Sequence, residues 1–250
     1  QAEDGIRDSV ASRGLGDVYK RQSKTNFLSN FMVITIDGAA GVGKTTTAKK
    51  LAKKLGFRYL DTGAMYRAIT YFFIQHQVDI ESKDMVISSL DALKLDVSFP
   101  IDRPTKIVLD GKDISQDIRK KVVTNQVSQV SAMKDVRKKM VKMQKEIVNN
   151  GNFVVEGRDI GTVVFPNAEH KFFLVADYNI RAERRLKDFD NINEKLDLSD
   201  IRNDLIKRDK HDKNRKLSPL KKAEDAIVID TSSCSVDEQV ESIYKYVERV

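Results

Sequence analysis

Strands alternating with helices behind a glycine-rich loop predict an α/β fold: a parallel sheet covered by helices on both faces. Two observations carry this expectation. The β-favouring run Val33-Ile34-Thr35-Ile36-Asp37 leads straight into Gly38-Ala39-Ala40-Gly41-Val42-Gly43-Lys44-Thr45-Thr46, a G-x-x-x-x-G-K-T segment with a helical pattern behind it. Further strand signals at 57–60, 153–155, 172–175 and 226–229 are separated by helical patterns and bring the parallel strands to five.

The elements follow in order. Between Lys44 and Leu55 the apolar positions Ala48, Leu51, Ala52 and Leu55 fall at i, i+3, i+4 and i+7, and Gly56 stops the helix. After the second strand, Asp61-Thr62-Gly63 is a helix-entry signal, and helices are expected over 64–77 and 84–93. Residues 95–119 change character. Positions 95–99 alternate, 100–104 break between two prolines, and 106–109 alternate again before the turn Asp110-Gly111, which predicts a small antiparallel insert. Helices are expected at about 120–131, 133–149, 179–189 and 197–210, and a last one begins at Val236.

Composition narrows the class. The chain has 250 residues, 40% hydrophobic and 32% charged, which suits a soluble globular protein. No apolar run approaches the ~18–20 residues of a membrane span. The lone Cys234 excludes an internal disulfide framework and fits a reducing compartment, hence the cytoplasm. With no histidine near it in sequence, Cys234 reads as a bystander. His76, His170 and His211 are too scattered for a metal site. Residues 1–31 are polar and without period, and Met32 stands directly before the first strand. The stretch 1–31 is expected to be a disordered extension or the trace of an upstream reading frame, and it lacks the apolar core of a signal peptide. The net charge of +7 fits either a nucleic-acid surface or basic groups gathered around polyphosphate. No nucleic-acid-binding signature accompanies it, so polyphosphate is favoured.

Four segments carry the chemistry. In 38–46 the glycines let successive N–H groups turn toward a phosphate at the following helix N-terminus. Lys44 can reach β- and γ-phosphates, and the Thr45 hydroxyl can ligate Mg²⁺. In Asp61-Thr62-Gly63-Ala64-Met65-Tyr66-Arg67, Arg67 stands one turn into a helix beside that loop. In Glu156-Gly157-Arg158-Asp159-Ile160-Gly161 an apolar strand ends in a charged turn, where parallel sheets bind ligands. In the run 208–215, Arg208, Asp212 and Arg215 share one helix side if the helix reaches that far, with Arg181, Arg184 and Arg185 upstream. Arginine gives the bidentate phosphate recognition that lysine cannot.

The set GAAGVGKTT, LDTGAMYR, VSQV, GRDIGTVVFP and RDKHDKNR, in this order across about 32–250, resembles the bacterial cytidylate kinases, a nucleoside-monophosphate kinase family. The resemblance implies a P-loop kinase core with a five-stranded parallel sheet, an antiparallel insert at about 95–119 in the monophosphate-binding region, and a mobile lid at about 187–197. It implies that Gly38, Ala39, Ala40, Gly41, Val42, Gly43, Lys44, Thr45 and Thr46 hold ATP, with Thr45 on Mg²⁺. Thr62 would contact the acceptor ribose, Arg67 and Arg158 its phosphate, and Ser128, Arg137 and Asp159 the cytosine edge. Arg208, Asp212 and Arg215 would complete the CMP or dCMP site, with Asp212 on sugar hydroxyls. Arg184 and Arg185 would close on the ATP phosphates, and Lys44, Arg158, Arg184, Arg185 and Arg215 would serve the transfer itself. Glu156 departs from the aspartate that often precedes Gly-Arg-Asp in the family.

The acceptor is already an ionised phosphate, so the mechanism implied is alignment of two polyanions and spreading of charge, without a nucleophilic side chain. The partners expected are ATP and CMP or dCMP, acting on a monomer, with no nucleic acid or membrane. A kinase for UMP or AMP would need a different base-reading set. A P-loop GTPase would need an N-K-x-D segment, and none is present.

Overall fold

Valine, isoleucine and phenylalanine dominate the predicted strands, and they form a sheet buried on both faces. The structure is a computed structural model that describes residues 31–100, 105–190 and 197–248, with backbone alone at 188–190. Residues 1–30 of the extension expected over 1–31, 101–104 of the break expected at 100–104 and 191–196 of the lid expected at about 187–197 lie outside the described residues. Those described fall in one unit, Phe31–Val250. Strands β1 (Val33–Gly38), β2 (Arg58–Asp61), β6 (Phe153–Gly157), β7 (His170–Val175) and β8 (Ile227–Asp230) pair in the order β2-β6-β1-β7-β8. Every pairing in this sheet is parallel, as predicted.

Alternation along the strands divides the core in two. Phe153 and Val155 of β6 pack with helices α2 (Thr62–Gln75), α3 (Lys83–Ala92), α4 (Lys121–Val130) and α5 (Lys134–Val148). Val154, with Ile34 and Ile36 of β1, packs instead with α1 (Lys44–Leu55) and α8 (Val236–Val247). The remaining helices, α6 (Tyr178–Asp190) and α7 (Leu198–Lys213), meet through a smaller cluster of Ala182, Ile201 and Leu205.

The predicted insert is present as an antiparallel sheet of β3 (Leu95–Ser98), β4 (Lys106–Leu109) and the two-residue β5 (Lys112–Asp113). Asp110 and Gly111 both have positive φ, the pattern of a tight hairpin turn, and Leu109 pairs with Lys112 across it. The helix-entry signal at Asp61 acts as read, its carboxylate accepting from Ala64 N at 2.9 Å. The structure adds a capping box of Ser235 with Glu238 on α8. The final charged run departs from expectation. Helix α7 ends at Lys213, so Arg215 lies past its end rather than on its face. Among the described residues no helix is long and apolar enough to cross a membrane.

Where β1 leaves the sheet, Gly38 has φ 151° and lies beside Leu174 of β7. A Cβ there would stand 2.4 Å from the Leu174 carbonyl oxygen, so only glycine lets the chain turn into the loop at this spacing. Gly38→Ala is expected to destabilise the fold by more than about 1 kcal/mol, read as a lowered urea midpoint. An unchanged midpoint would show that β1 and β7 can separate freely.

Candidate active site

The sheet order puts β6 between β2 and β1, so the three segments that follow these strands share one edge. Between them lies a cleft of about 700 Å³. Ten lysine and arginine side chains line it against four carboxylates. That excess of six accounts for most of the chain's net charge of +7 and sets this cleft apart from a smaller hollow on α8 lined by Glu238, Glu241 and Lys245.

The glycine-rich loop forms one wall. Gly43, at φ 90°, is the N-cap of α1, and Lys44 Nζ donates back to the Ala39 carbonyl at 2.6 Å. The loop is braced from distant parts of the chain. Val42 is buried in the core, and its carbonyl accepts from Thr231 Oγ1 at 2.9 Å. Thr47 Oγ1 donates to Gln239 Oε1 at 2.7 Å, and Arg181 Nε donates to the Ala40 carbonyl at 2.7 Å. Thr45 Oγ1 donates to the Glu156 carboxylate at 2.8 Å, and Tyr59 Oη donates to the same carboxylate. Burial and the nearby Asp61 charge push the Glu156 carboxyl up, while Lys44 and the two hydroxyl donors oppose the shift. The glutamate noted in the sequence therefore reaches the Thr45 hydroxyl directly.

The opposite wall carries the arginines. Arg158 Nε donates to Asp212 Oδ2 at 3.0 Å, and Arg215 Nη2 donates to Asp212 Oδ1 and, at 3.3 Å, to Ser131 Oγ. Asp212 is thus held between two guanidinium groups, but the pair is Arg158 and Arg215 rather than the Arg208 and Arg215 of the sequence spacing, and Arg215 reaches it from beyond the helix. Burial alone would raise the Asp212 carboxyl, but Arg158 and Arg215 outweigh it and hold the group below the usual carboxylate range. Arg137 is buried, donates to Asp159, and sits 5.5 Å from the centre of the Tyr66 ring. Thr62 Oγ1 donates to the Glu156 carbonyl at 2.8 Å. Burial and the repulsion of Arg158 bring the Arg208 guanidinium down to about 10.

Most residues singled out in the sequence line this cleft: Ala40, Gly41, Gly43, Lys44, Thr45, Thr46, Thr62, Arg67, Arg137, Arg158, Asp159, Arg184, Arg185, Arg208, Asp212 and Arg215. Gly38, Ala39, Val42 and Ser128 do not. Ser128 is half-buried and its carbonyl accepts from Ser131 Oγ, so it is Ser131 whose hydroxyl faces the cleft. Arg184 donates to Thr231 Oγ1 at 3.1 Å. Arg181, grouped in the sequence with the phosphate-seeking arginines, is instead buried. It makes a bidentate pair with Asp209 at 2.7 and 2.9 Å, tying α6 to α7. Sequence reading missed Arg119, Ser131 and Gln239 in the lining. Arg119 ends a short 3₁₀ turn and Gln239 sits on the last helix, so only tertiary folding brings them here.

A phosphate-binding loop between strand and helix, facing a second basic wall across one cleft, defines a P-loop kinase. The family model for cytidylate kinase matches residues 34–249. The chain is 44% identical over 223 residues to the cytidylate kinase of Protochlamydia amoebophila, covering 88% of this chain and 97% of that protein. It is also 44% identical over 216 residues to the cytidylate kinase of Caldanaerobacter subterraneus, covering 86% of this chain and 94% of that protein. A crystal structure of an uncharacterized protein from Eubacterium ventriosum superposes with a TM-score of 0.50 at 15% identity, over 88% of this chain and 99% of that one, and shares the fold. The chain belongs to the cytidylate kinase family.

Arg181 and Asp209 are each only 3% exposed at the side chain, so removing one partner leaves a buried charge unpaired. Arg181→Met is expected to cost about 3–5 kcal/mol of stability. Adding Asp209→Leu should recover part of that loss in chemical denaturation, and a purely additive double variant would count against the pairing.

Proposed function

We propose that the protein transfers the γ-phosphoryl group of ATP to CMP or dCMP, giving ADP and CDP or dCDP. The observation that carries this reading is the division of one cationic cleft into two grips. The loop 38–46 is shaped for a triphosphate, and the opposite wall joins phosphate-seeking arginines to the buried Arg137–Asp159 pair. In that wall Arg67 and Arg158 are suited to the acceptor phosphate, Asp212 to sugar hydroxyls, and Asp159 to the exocyclic amino group of cytosine. Uracil presents an oxygen at that point, which a carboxylate cannot accept from. Arg215 keeps a buried Nε with no hydrogen-bond partner, a donor that an acceptor oxygen would satisfy. For Ser128 the same reading holds only if α4 turns it toward the base; Ser131 is the serine better aimed.

The residues fit a magnesium ion carried by the nucleotide. Among the described residues no group of three or more His, Cys, Asp or Glu could hold a metal. Thr45, however, donates its hydrogen to Glu156 and so keeps oxygen lone pairs for a hard cation beside phosphate oxygens. When bound, Mg²⁺ supplies charge neutralisation across those oxygens. The protein's part is alignment: Lys44, Arg184 and Arg185 on the donor side and Arg158 and Arg215 on the acceptor side spread the charge of the moving phosphoryl group. The reading extends to a monomeric cytoplasmic enzyme without nucleic-acid or membrane partners, supported by the lone Cys234 and by basic charge concentrated in the cleft.

An acceptor panel with Mg·ATP tests the function. CMP and dCMP are expected to be phosphorylated far faster than UMP or AMP, and AMP as the preferred acceptor would overturn the reading. Asp159→Ala should erode the preference for cytosine more than it weakens ATP binding; unchanged acceptor preference would remove Asp159 from base recognition.

Lys44 supplies a second test. Burial and the repulsion of Arg158 bring its ammonium down to about 7, with Glu156 and Asp37 opposing. A triphosphate beside it favours the charged form, so at pH 8, where ATP is itself ionised, binding should take up close to about one proton. Calorimetry in two buffers of different ionisation enthalpy reads this uptake, and no buffer dependence would contradict it.

A further inference from the structure

The turn that presents Arg158 and Asp159 has an unusual cap. Residues Ile160–Val164 form a single π-helical turn with Asp159 at its N-cap position. An aspartate there ordinarily folds back to accept from the first N–H groups of the turn. Asp159 makes no such bond, because its carboxylate is turned to Arg137. The two N–H groups are satisfied from another strand. Ile160 N donates to Asp37 Oδ1 at 2.9 Å and Gly161 N donates to Asp37 Oδ2 at 2.8 Å.

Asp37 stands in β1 directly before the glycine-rich loop and is paired in register with Gly157, the last residue of β6. It is 4% exposed and is not part of the cleft lining. Burial pushes its carboxyl up to about 6, against the pull of the two amide donors. Nothing in the phosphate-holding role of the loop calls for a carboxylate here, and a negative charge behind a phosphate site works against binding. What the carboxylate does at this position is hold backbone.

We infer that Asp37 is a positioning residue for the acceptor: by capping the turn after β6 from the donor strand, it frees Asp159 to face the cleft and fixes where Arg158 points. This rests on the reading of the opposite wall as the CMP site. The acceptor grip is then formed before CMP arrives, and it is fastened to the strand that carries the ATP loop. Asparagine at 37 keeps one acceptor oxygen but sets its NH₂ against the second amide N–H, so Asp159 is drawn back toward its own turn.

The test is calorimetric binding of CMP and of Mg·ATP, each alone, to wild type and Asp37→Asn. CMP affinity is expected to fall roughly tenfold, with ATP affinity changed less than about twofold because the variant leaves the loop's own donors in place. Equal CMP affinity in the two proteins, or a loss confined to ATP, overturns the inference. A wild type that binds ATP and no CMP overturns the acceptor reading instead. Amide hydrogen exchange in nucleotide-free wild type tests the cap without any variant. Strong protection of Ile160 and Gly161 is expected, and exchange at the solvent rate would overturn the cap whatever the acceptor.

Discussion

Like charges brought together in a poorly solvated cleft repel, and the arrangement of this protein follows from how that repulsion is contained. Arg158 and Arg215 share Asp212, Arg137 has Asp159, and Arg181, beneath the glycine-rich loop, has Asp209. Each carboxylate cancels part of the repulsion and also fixes the direction of a guanidinium group. The positive excess that remains is what two phosphate-bearing substrates can neutralise. A cleft of this kind gains its affinity from charge placed in advance, so little reorganisation is needed when the anions enter.

The sheet order makes such placement possible. With β6 between β2 and β1, the glycine-rich loop, the N-terminus of α2 and the turn carrying Arg158 emerge side by side. Glu156 and Asp37 then cross between strands. One joins the Thr45 hydroxyl to Tyr59, and the other joins β1 to the turn after β6. Side-chain hydrogen bonds between neighbouring parallel strands thus add to the strand pairing in holding the glycine-rich loop against the turn that carries Arg158.

Features governed by local chemistry were legible in the sequence. The five strands, the insert, the helix caps and the glycine-rich loop all depend on spacing within a few residues, and so did the aim of Arg158 and Asp159 at the sheet edge. What was not legible depends on distance in space. Arg181 looks like Arg184 and Arg185 in sequence, yet one turn of helix separates an arginine buried against Asp209 from those at the cleft. Arg215 could share a helix face with Asp212 only if the helix ran on to it; the helix ends two residues earlier, and Arg215 pairs with Asp212 from beyond its end. Ser131, Arg119 and Gln239 carry no local signature, since their place in the lining is set by the packing of separate elements.

The bracing of the glycine-rich loop bears on how the chain acquires its fold. Val42 and Thr47 flank the phosphate grip, and their partners are Thr231 and Gln239, 189 and 192 positions further along. A ribosome delivers the loop well before these supports. While the intervening segments emerge, β1 lacks neighbours on both sides, because β6 and β7 also come late. Such long-range closure slows folding and exposes apolar strand edges in the meantime. The glycine-rich loop is therefore fully braced only after α8 has been made and settles against α1.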